Sequence, residues 1–443
     1  MKVNDTHRAI EAVWRIESAK IIGSLTRMVR DVGVADELAQ DALVSALEQW
    51  PSSGIPDNPG AWLMQAAKNR AIDLIRHRAL HERKEADFTY AIETQLQDAA
   101  PAQPGANLDD PVGDDLLRLI FIACHPVLST EARVALTLRL LGGLTTDEIA
   151  RAFLAPEPTI AQRIVRAKRA LSEAKVPFEV PQPAELAVRL ASVLEVIYLV
   201  FNEGYSATAG DDWMRPTMCD EALRLGRILA GLAPNEPEVH GLVALMEIQA
   251  SRARARVSAS GEPNLLMDQD RARWDQLLIR RGLAALERAE SLGTTDRRAL
   301  GPYALQASIA ACHARARAAA QTDWPRIVAY YDALAQLAPS PVVELNRAVA
   351  VSMAFGPAQA LELVDALRDE PALKTYHLLP SVRGDLLQRL GRGAEASAEF
   401  SRAASLTRNL RERELLLKRA MEAGAREAGA KQSGAKEAGA KGG

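Results

Sequence analysis

Cysteine is scarce: three residues in 443, Cys124, Cys219 and Cys312, lie far apart and form no CxxC pair. Neither a disulfide framework nor a cysteine-rich zinc site can be built from them, and the usage suits a reducing cytoplasm. Aromatics are only 5% of the chain and Val/Ile/Thr/Tyr alternation is rare, which excludes a β-sandwich or barrel. Long apolar runs are missing too. Leu190 to Phe201 is broken by Glu195 and is shorter than the roughly 20 residues that span a bilayer. The first residues alternate charge with apolar side chains and hold no uninterrupted apolar stretch, so neither export nor membrane anchoring is expected. Enzyme motifs are equally thin. There is no P-loop, GxGxxG or HExxH, and the adjacent pairs Cys124-His125 and Cys312-His313 diverge by about 100° on a helix, too far for a nucleophile-base dyad. No metal and no cofactor is expected.

What the chain does contain is Ala, Leu, Arg and Glu in helical patterns, which predicts an all-α protein of two to four domains. The net charge is only −3, but its distribution is uneven. Gly60 to Lys84 carries a balance of +4, Glu85 to Asp115 holds eight acids without a Lys or Arg, and Leu116 to Lys175 returns to +4. Two basic helical modules joined by an acidic linker suggest a polyanion gripped at two places.

The sharpest pattern is LTTDEIARAFLAPEPTIAQRIVRAKRAL, Leu144 to Leu171. Thr145 or Thr146 with Glu148 caps a short helix, Ala155-Pro156-Glu157-Pro158 turns the chain, and Thr159 starts a second helix: a helix-turn-helix. Ile160, Ile164, Ala167 and Leu171 form its buried stripe. Gln162, Arg166 and Arg169 lie opposite, with Thr159 and Arg163 on the flanks, so amides and guanidiniums can face bases and phosphates in a major groove, though a surface helix with solvated arginines has the same pattern. In Asn58 to Leu80, Leu63, Ala67, Leu74 and the stem of Arg70 share one face. Trp62, Gln65, Asn69, Asp73 and Arg76 share the other, a row suited to stacking and hydrogen bonding with unpaired bases, though an i,i+4 network on an amphipathic helix has the same spacing. Upstream, residues 35 to 50 turn Ala39, Ala42, Leu43, Ala46 and Trp50 inward and Glu37, Asp41 and Glu48 outward, as a solvated face or a protein-docking stripe.

After VPFEVPQP (176 to 183) the chain is helical throughout. SMAFGPAQALELV (352 to 364) and LQRLGRGAEASAEF (387 to 400) share a hydrophobic-Gly-x-x-x-Ala frame offset by 35 positions, close to the tetratricopeptide period of about 34. Asn202, Glu203, Tyr205, Asp211, Asp212 and Trp213 form the one polar cluster there that invites a pocket, and a loop with capping carboxylates explains it at least as well. The last residues repeat EAGAK-like pentapeptides, expected as a flexible, partly helical tail.

In this order the elements resemble the extracytoplasmic-function sigma factors of the sigma-70 family over roughly residues 8 to 175. The remainder, with YLVFNEGY (198 to 205), PNEPEVHGLVALM (234 to 246), TDWPRIVAYYDAL (322 to 334), PSPVVELNRAVAV (339 to 351) and RGDLLQRLGRGAEA (383 to 396), resembles the tetratricopeptide-like extension of one subgroup. The resemblance implies sigma region 2 at 8–81, an acidic linker at 82–115, a region 4 helix-turn-helix at 116–175, a helical regulatory extension at 184–420 and a tail at 421–443. It implies that Asp36, Glu37, Gln40, Asp41 and Glu48 dock on the β′ clamp helices of core RNA polymerase. The 52–60 loop with Trp62, Gln65, Lys68, Asn69, Asp73 and Arg76 would hold melted minus-ten DNA, and Thr159, Gln162, Arg163, Arg166, Lys168 and Arg169 would read the minus-thirty-five duplex. Asn202, Glu203, Tyr205, Asp211 and Trp213 become candidates for a regulatory protein or ligand on the extension. Ala161-Gln162 after the Thr-hydrophobic pair, and two prolines in the turn, depart from many relatives and bear on which promoter is read. A helix-turn-helix regulator acting without core polymerase, and a helical-repeat enzyme using Glu203, Asp211 or Asp212, are the other classes consistent with the residues.

Overall fold

The computed structural model describes residues 3–82, 111–153, 155–207, 209–210, 213–258, 262–295 and 299–440. The acidic linker falls mostly on 83–110, and Asp211 and Asp212 also lie outside the described residues. Among those described there are eighteen α-helices and a single two-residue strand pair, an all-α fold as expected. The chain divides into two compact units, residues 1–199 and 200–443.

In the first unit, α1 (Val3–Val29), α2 (Val32–Ser53), α3 (Pro59–Glu82) and α4 (Pro111–Ala123) pack together through α1. The buried Ile10, Trp14, Ile21, Ile22 and Leu25 of α1 form the common surface. Asp31 caps α2, accepting from the Val34 amide at 3.0 Å. Gly54 ends it at φ +86°, a conformation that a side chain would strain. The linker expectation needs correcting at its far end, because residues 111–115 already belong to α4. Asp115 is buried, not solvated, and pairs with Arg27 (3.0 Å) and Arg118 (3.2 Å). Burial pushes its pKa up, with the two arginines pulling the other way.

Next come α5 (Thr130–Leu140), α6 (Thr146–Phe153), α7 (Glu157–Glu173) and α8 (Pro183–Tyr205). The unit boundary falls at 199/200, inside α8, and not at the proline-rich break before it. Side chains of the first part of α8 explain this. Arg189 donates to the Phe121 carbonyl (2.8 Å), Ser192 to the Cys124 carbonyl (2.7 Å), and Arg133 reaches Glu195 (3.1 Å).

The second unit continues with β1 (Ala209–Gly210), α9 (Pro216–Leu232), α10 (Pro237–Ala250), α11 (Gln276–Thr295) and α12 (Pro302–Arg315). It ends with α13 (Trp324–Leu337), α14 (Pro341–Phe355), α15 (Pro357–Ala366), α16 (Leu378–Arg389), α17 (Gly393–Leu406), β2 (Arg408–Asn409) and α18 (Leu410–Ala440). From α12 onward each helix packs on the next over one continuous core that runs from Ile309 to Ala423. Gly356 (φ +106°) and Gly391 (φ +77°) are the turns between α14 and α15 and between α16 and α17, so the 35-residue frame marks two equivalent helix pairs. Residues 421–440, expected as a tail of their own, extend α18 instead. Ala, Glu and Lys favour helix strongly enough to carry one Gly per five residues, at about 1 kcal/mol each.

Candidate polymerase and nucleic-acid interfaces

The helix-turn-helix forms as the sequence dictates. Thr145 Oγ1 accepts from the Glu148 amide (3.1 Å) while Glu148 Oε2 accepts from the Thr145 amide (2.8 Å), a reciprocal capping box. The second helix starts at Glu157, two residues earlier than Thr159, with Pro158 in its first turn. Proline is at home there because those amides have no intrahelical acceptor. The buried residues of α7 are Ile160, Ile164, Ala167 and Leu171. Thr159, Gln162, Arg166 and Arg169 are exposed on the other face and Arg163 is half-buried. Arg169 is paired with Glu173 at 2.6 Å.

On α3, Leu63 and Ala67 are buried and Leu74 is half-buried. Arg70 turns inward to donate to Ser45 Oγ of α2 at 2.6 Å, tying the two helices. The opposite row is present and partly self-paired. Gln65 Nε2 donates to Asn69 Oδ1 (2.8 Å), Asp73 lies 3.9 Å from Arg76, and Lys68 is half-buried. Trp62 packs edge-on against the buried Trp50, with ring centroids 5.4 Å apart at 71°, so its indole is braced on one side and half exposed on the other.

On α2, Ala39, Ala42, Ala46 and Trp50 are buried and Leu43 half-buried, while Glu37, Asp41 and Glu48 are exposed and Gln40 half-buried. Asp36 departs from the expected docking face. Its side chain is 2% exposed and is ion-paired with Lys168 of α7, with Arg139 of α5 at 3.9 Å. A second link joins Ser172 Oγ to Asp31 Oδ2 (2.9 Å), and a third pairs Arg15 of α1 with Glu148 of α6. The residues expected to meet polymerase and those expected to meet duplex DNA therefore meet each other at Asp36 and Lys168. The spacing could not reveal this, because it depends on packing between residues 132 positions apart.

In the second unit Glu203 is paired with Arg215 and Asn202 is half-buried. Tyr205 stacks on Phe201 (5.6 Å, 16°) and lies under the Arg256 guanidinium, 3.6 Å from its ring centroid, with Trp213 at 5.7 Å from the same guanidinium. Tyr205 and Trp213 are thus brought together by Arg256, which lies outside the candidate cluster. The signal was present as arginine at every second position in Ser251 to Arg256, SRARAR.

Residues 17–80 match Sigma-70 region 2, residues 118–171 match Sigma-70, region 4, and residues 189–290 match a family of unknown function, DUF6596. An uncharacterized protein of Rhizobium meliloti (strain 1021) is 43% identical over 392 residues, 88% of this chain and 90% of the relative. The probable ECF RNA polymerase sigma factor SigI of Mycobacterium tuberculosis is 27% identical over 191 residues, covering 43% of this chain and 63% of its own length. The ECF RNA polymerase sigma factor SigK of Mycobacterium sp. (strain KMS) is 28% identical over 164 residues, 35% of this chain and 77% of the relative. With region 2 and region 4 in order, and a helical second unit beginning inside the third matched region, this chain belongs to the extracytoplasmic-function sigma factors of the sigma-70 family, as a member with a C-terminal extension.

Proposed function

We propose that the chain binds core RNA polymerase in the cytoplasm and directs promoter-specific initiation, without catalytic chemistry of its own. The acidic face of α2 (Glu37, Asp41, Glu48) docks on the β′ clamp helices. The α3 row of Trp62, Gln65, Asn69 and Arg76 holds unpaired minus-ten bases, and the outer face of α7 reads the minus-thirty-five duplex. The observation that carries this reading is α7 itself: four apolar residues buried on one face, with Thr159, Gln162, Arg166 and Arg169 exposed on the other. Such a helix anchors by one side and offers donors to base edges by the other.

In this reading the Asp36–Lys168 contact belongs to the free protein. A buried acid cannot dock on polymerase, and a lysine held by it cannot reach phosphate, so core binding and opening of this contact are one event. The extension regulates the factor by holding or releasing the closed state, through a ligand or partner protein. Run-off transcription with purified core enzyme tests the proposal. The chain directs starts from a subset of genomic fragments, and Arg166→Ala with Arg169→Ala abolishes them. Specific duplex binding without core polymerase, together with no start site on any fragment, would instead identify a regulator of the second class.

A further inference from the structure

The second unit buries positive charge for which its described residues supply no acid. Arg252 and Arg256 are 6% and 8% exposed and Arg271 is half-buried, and none has a carboxylate within 4.0 Å among the described residues. Arg252 and Arg271 both lie 5.0 Å from the centre of the buried Trp274 ring. They satisfy part of their donors on carbonyls of α12: Arg252 reaches that of Ala310 (3.3 Å), inside the helix, and Arg271 those of His313 (2.6 Å) and Ala316 (2.8 Å) at its C-terminal end. That placement favours cations, because a helix C-terminus carries partial negative charge. Arg256 has no such carbonyl. Among the described residues its guanidinium meets the faces of Tyr205 and Trp213. Five nitrogens in and around the group are buried without a hydrogen-bond partner among the described residues: Arg252 Nε, Arg271 Nε, Trp213 Nε1, Trp274 Nε1 and His313 Nδ1. Buried charges and donors left this way cost free energy unless something beyond the described residues meets them.

A cavity of about 410 Å³ adjoins this group, walled by Tyr205, Cys219, Leu223, Ser251, Arg254 and Leu278, a size that suits a small organic molecule. Asp220 and Asp275 also line it, but Asp275 Oδ1 is engaged in capping α11, accepting from the Leu277 and Leu278 amides at 2.8 and 3.1 Å. The Tyr205 hydroxyl is engaged by Arg252 as an acceptor, which leaves its own proton free to donate into the cavity.

We propose that this cavity is the extension's ligand site and that it takes a small organic anion. The ligand's apolar body lies against Leu223 and Leu278, and its carboxylate or phosphate is held by Tyr205 and Arg254 in the field of Arg252, Arg256 and Arg271. The site does not depend on the transcription reading, and it is tested without polymerase. The melting of the full chain is followed with sodium benzoate, phenyl phosphate or benzylammonium chloride at equal ionic strength. One or both aromatic anions raise the melting temperature and the cation of the same shape does not; which anion acts identifies the head group. Arg256→Met, which keeps the stem and removes the charge, melts no lower than the parent chain without additive and binds the active anion about tenfold more weakly, whereas Arg256→Lys retains most of the binding. If the three additives act alike on the unaltered chain, or none acts, the site is not an anion site, whatever the variants do.

Discussion

His313 illustrates how one residue's surroundings set a property of the molecule. Its ring is 6% exposed, edge-on to Trp324 at 5.1 Å, with Arg252 and Arg271 acting on it. Burial, with repulsion from those two guanidiniums added, pulls its pKa down from 6.5 to about 3. Between these values the folded chain binds fewer protons at this site than the unfolded chain does. The stability contribution is therefore complete above about pH 6.5 and is lost as pH falls towards 3. From pH 7 to pH 5 this site alone removes about 2 kcal/mol. His313→Phe keeps the edge contact with Trp324 and has nothing to protonate, so urea unfolding at the two pH values gives a smaller loss for the variant than for the parent. An equal loss in both would place the acid sensitivity elsewhere.

At the scale of elements, patterns of short reach were legible. The four-residue stripe of α7, a Thr-Glu148 cap and the repeated glycine frame at 356 and 391 each depend on neighbours within one or two turns. The structure has the stripe as read, chooses Thr145 over Thr146 for the cap, and makes the two glycines positive-φ turns. What could not be read depended on partners far along the chain. The resemblance alone placed Asp36 on the docking face; at about 100° per residue it falls on the side of Leu43 and Trp50, and Lys168 and Arg139 meet it there, while Asp115 stood in an acidic run, yet Arg27 fixes it to α1. The arginines of the extension show locally only as the alternation of SRARAR; their partners, a carbonyl within α12 and the rings of Trp274 and Tyr205, lie far along the chain. The capping box offers a measurement at this scale. Thr145→Ala removes the side-chain acceptor for the Glu148 amide and destabilises the first unit by about 1 kcal/mol. Glu148→Ala costs more, because Glu148 also meets Arg15 of α1. Denaturant titration of both variants checks the order, and an equal loss would mean that the exposed Arg15 pair contributes nothing, as many surface pairs do.

At the scale of the whole first unit, the contact between α2 and α7 links two expected binding surfaces through one buried carboxylate. Removing a single partner of such a pair is costly when it strands a charge in the interior. Lysine differs from aspartate in this respect, because its long stem can carry the ammonium out to water. Asp36→Ala therefore frees Lys168 and leaves no buried acid behind, while Arg139 stays on the Leu144 carbonyl (3.1 Å). If α7 meets duplex DNA as proposed, the freed ammonium adds one phosphate contact. The variant without core polymerase then binds minus-thirty-five duplex more tightly, and the slope of log affinity against log salt steepens by about 0.9. Adding Lys168→Ala to Asp36→Ala returns the slope to the parent value while keeping the contact open. The two variants thus separate release of the charge from opening of the unit. A salt slope identical in all three proteins would show that Lys168 does not reach the backbone even when released, and that its role ends with holding α2 against α7.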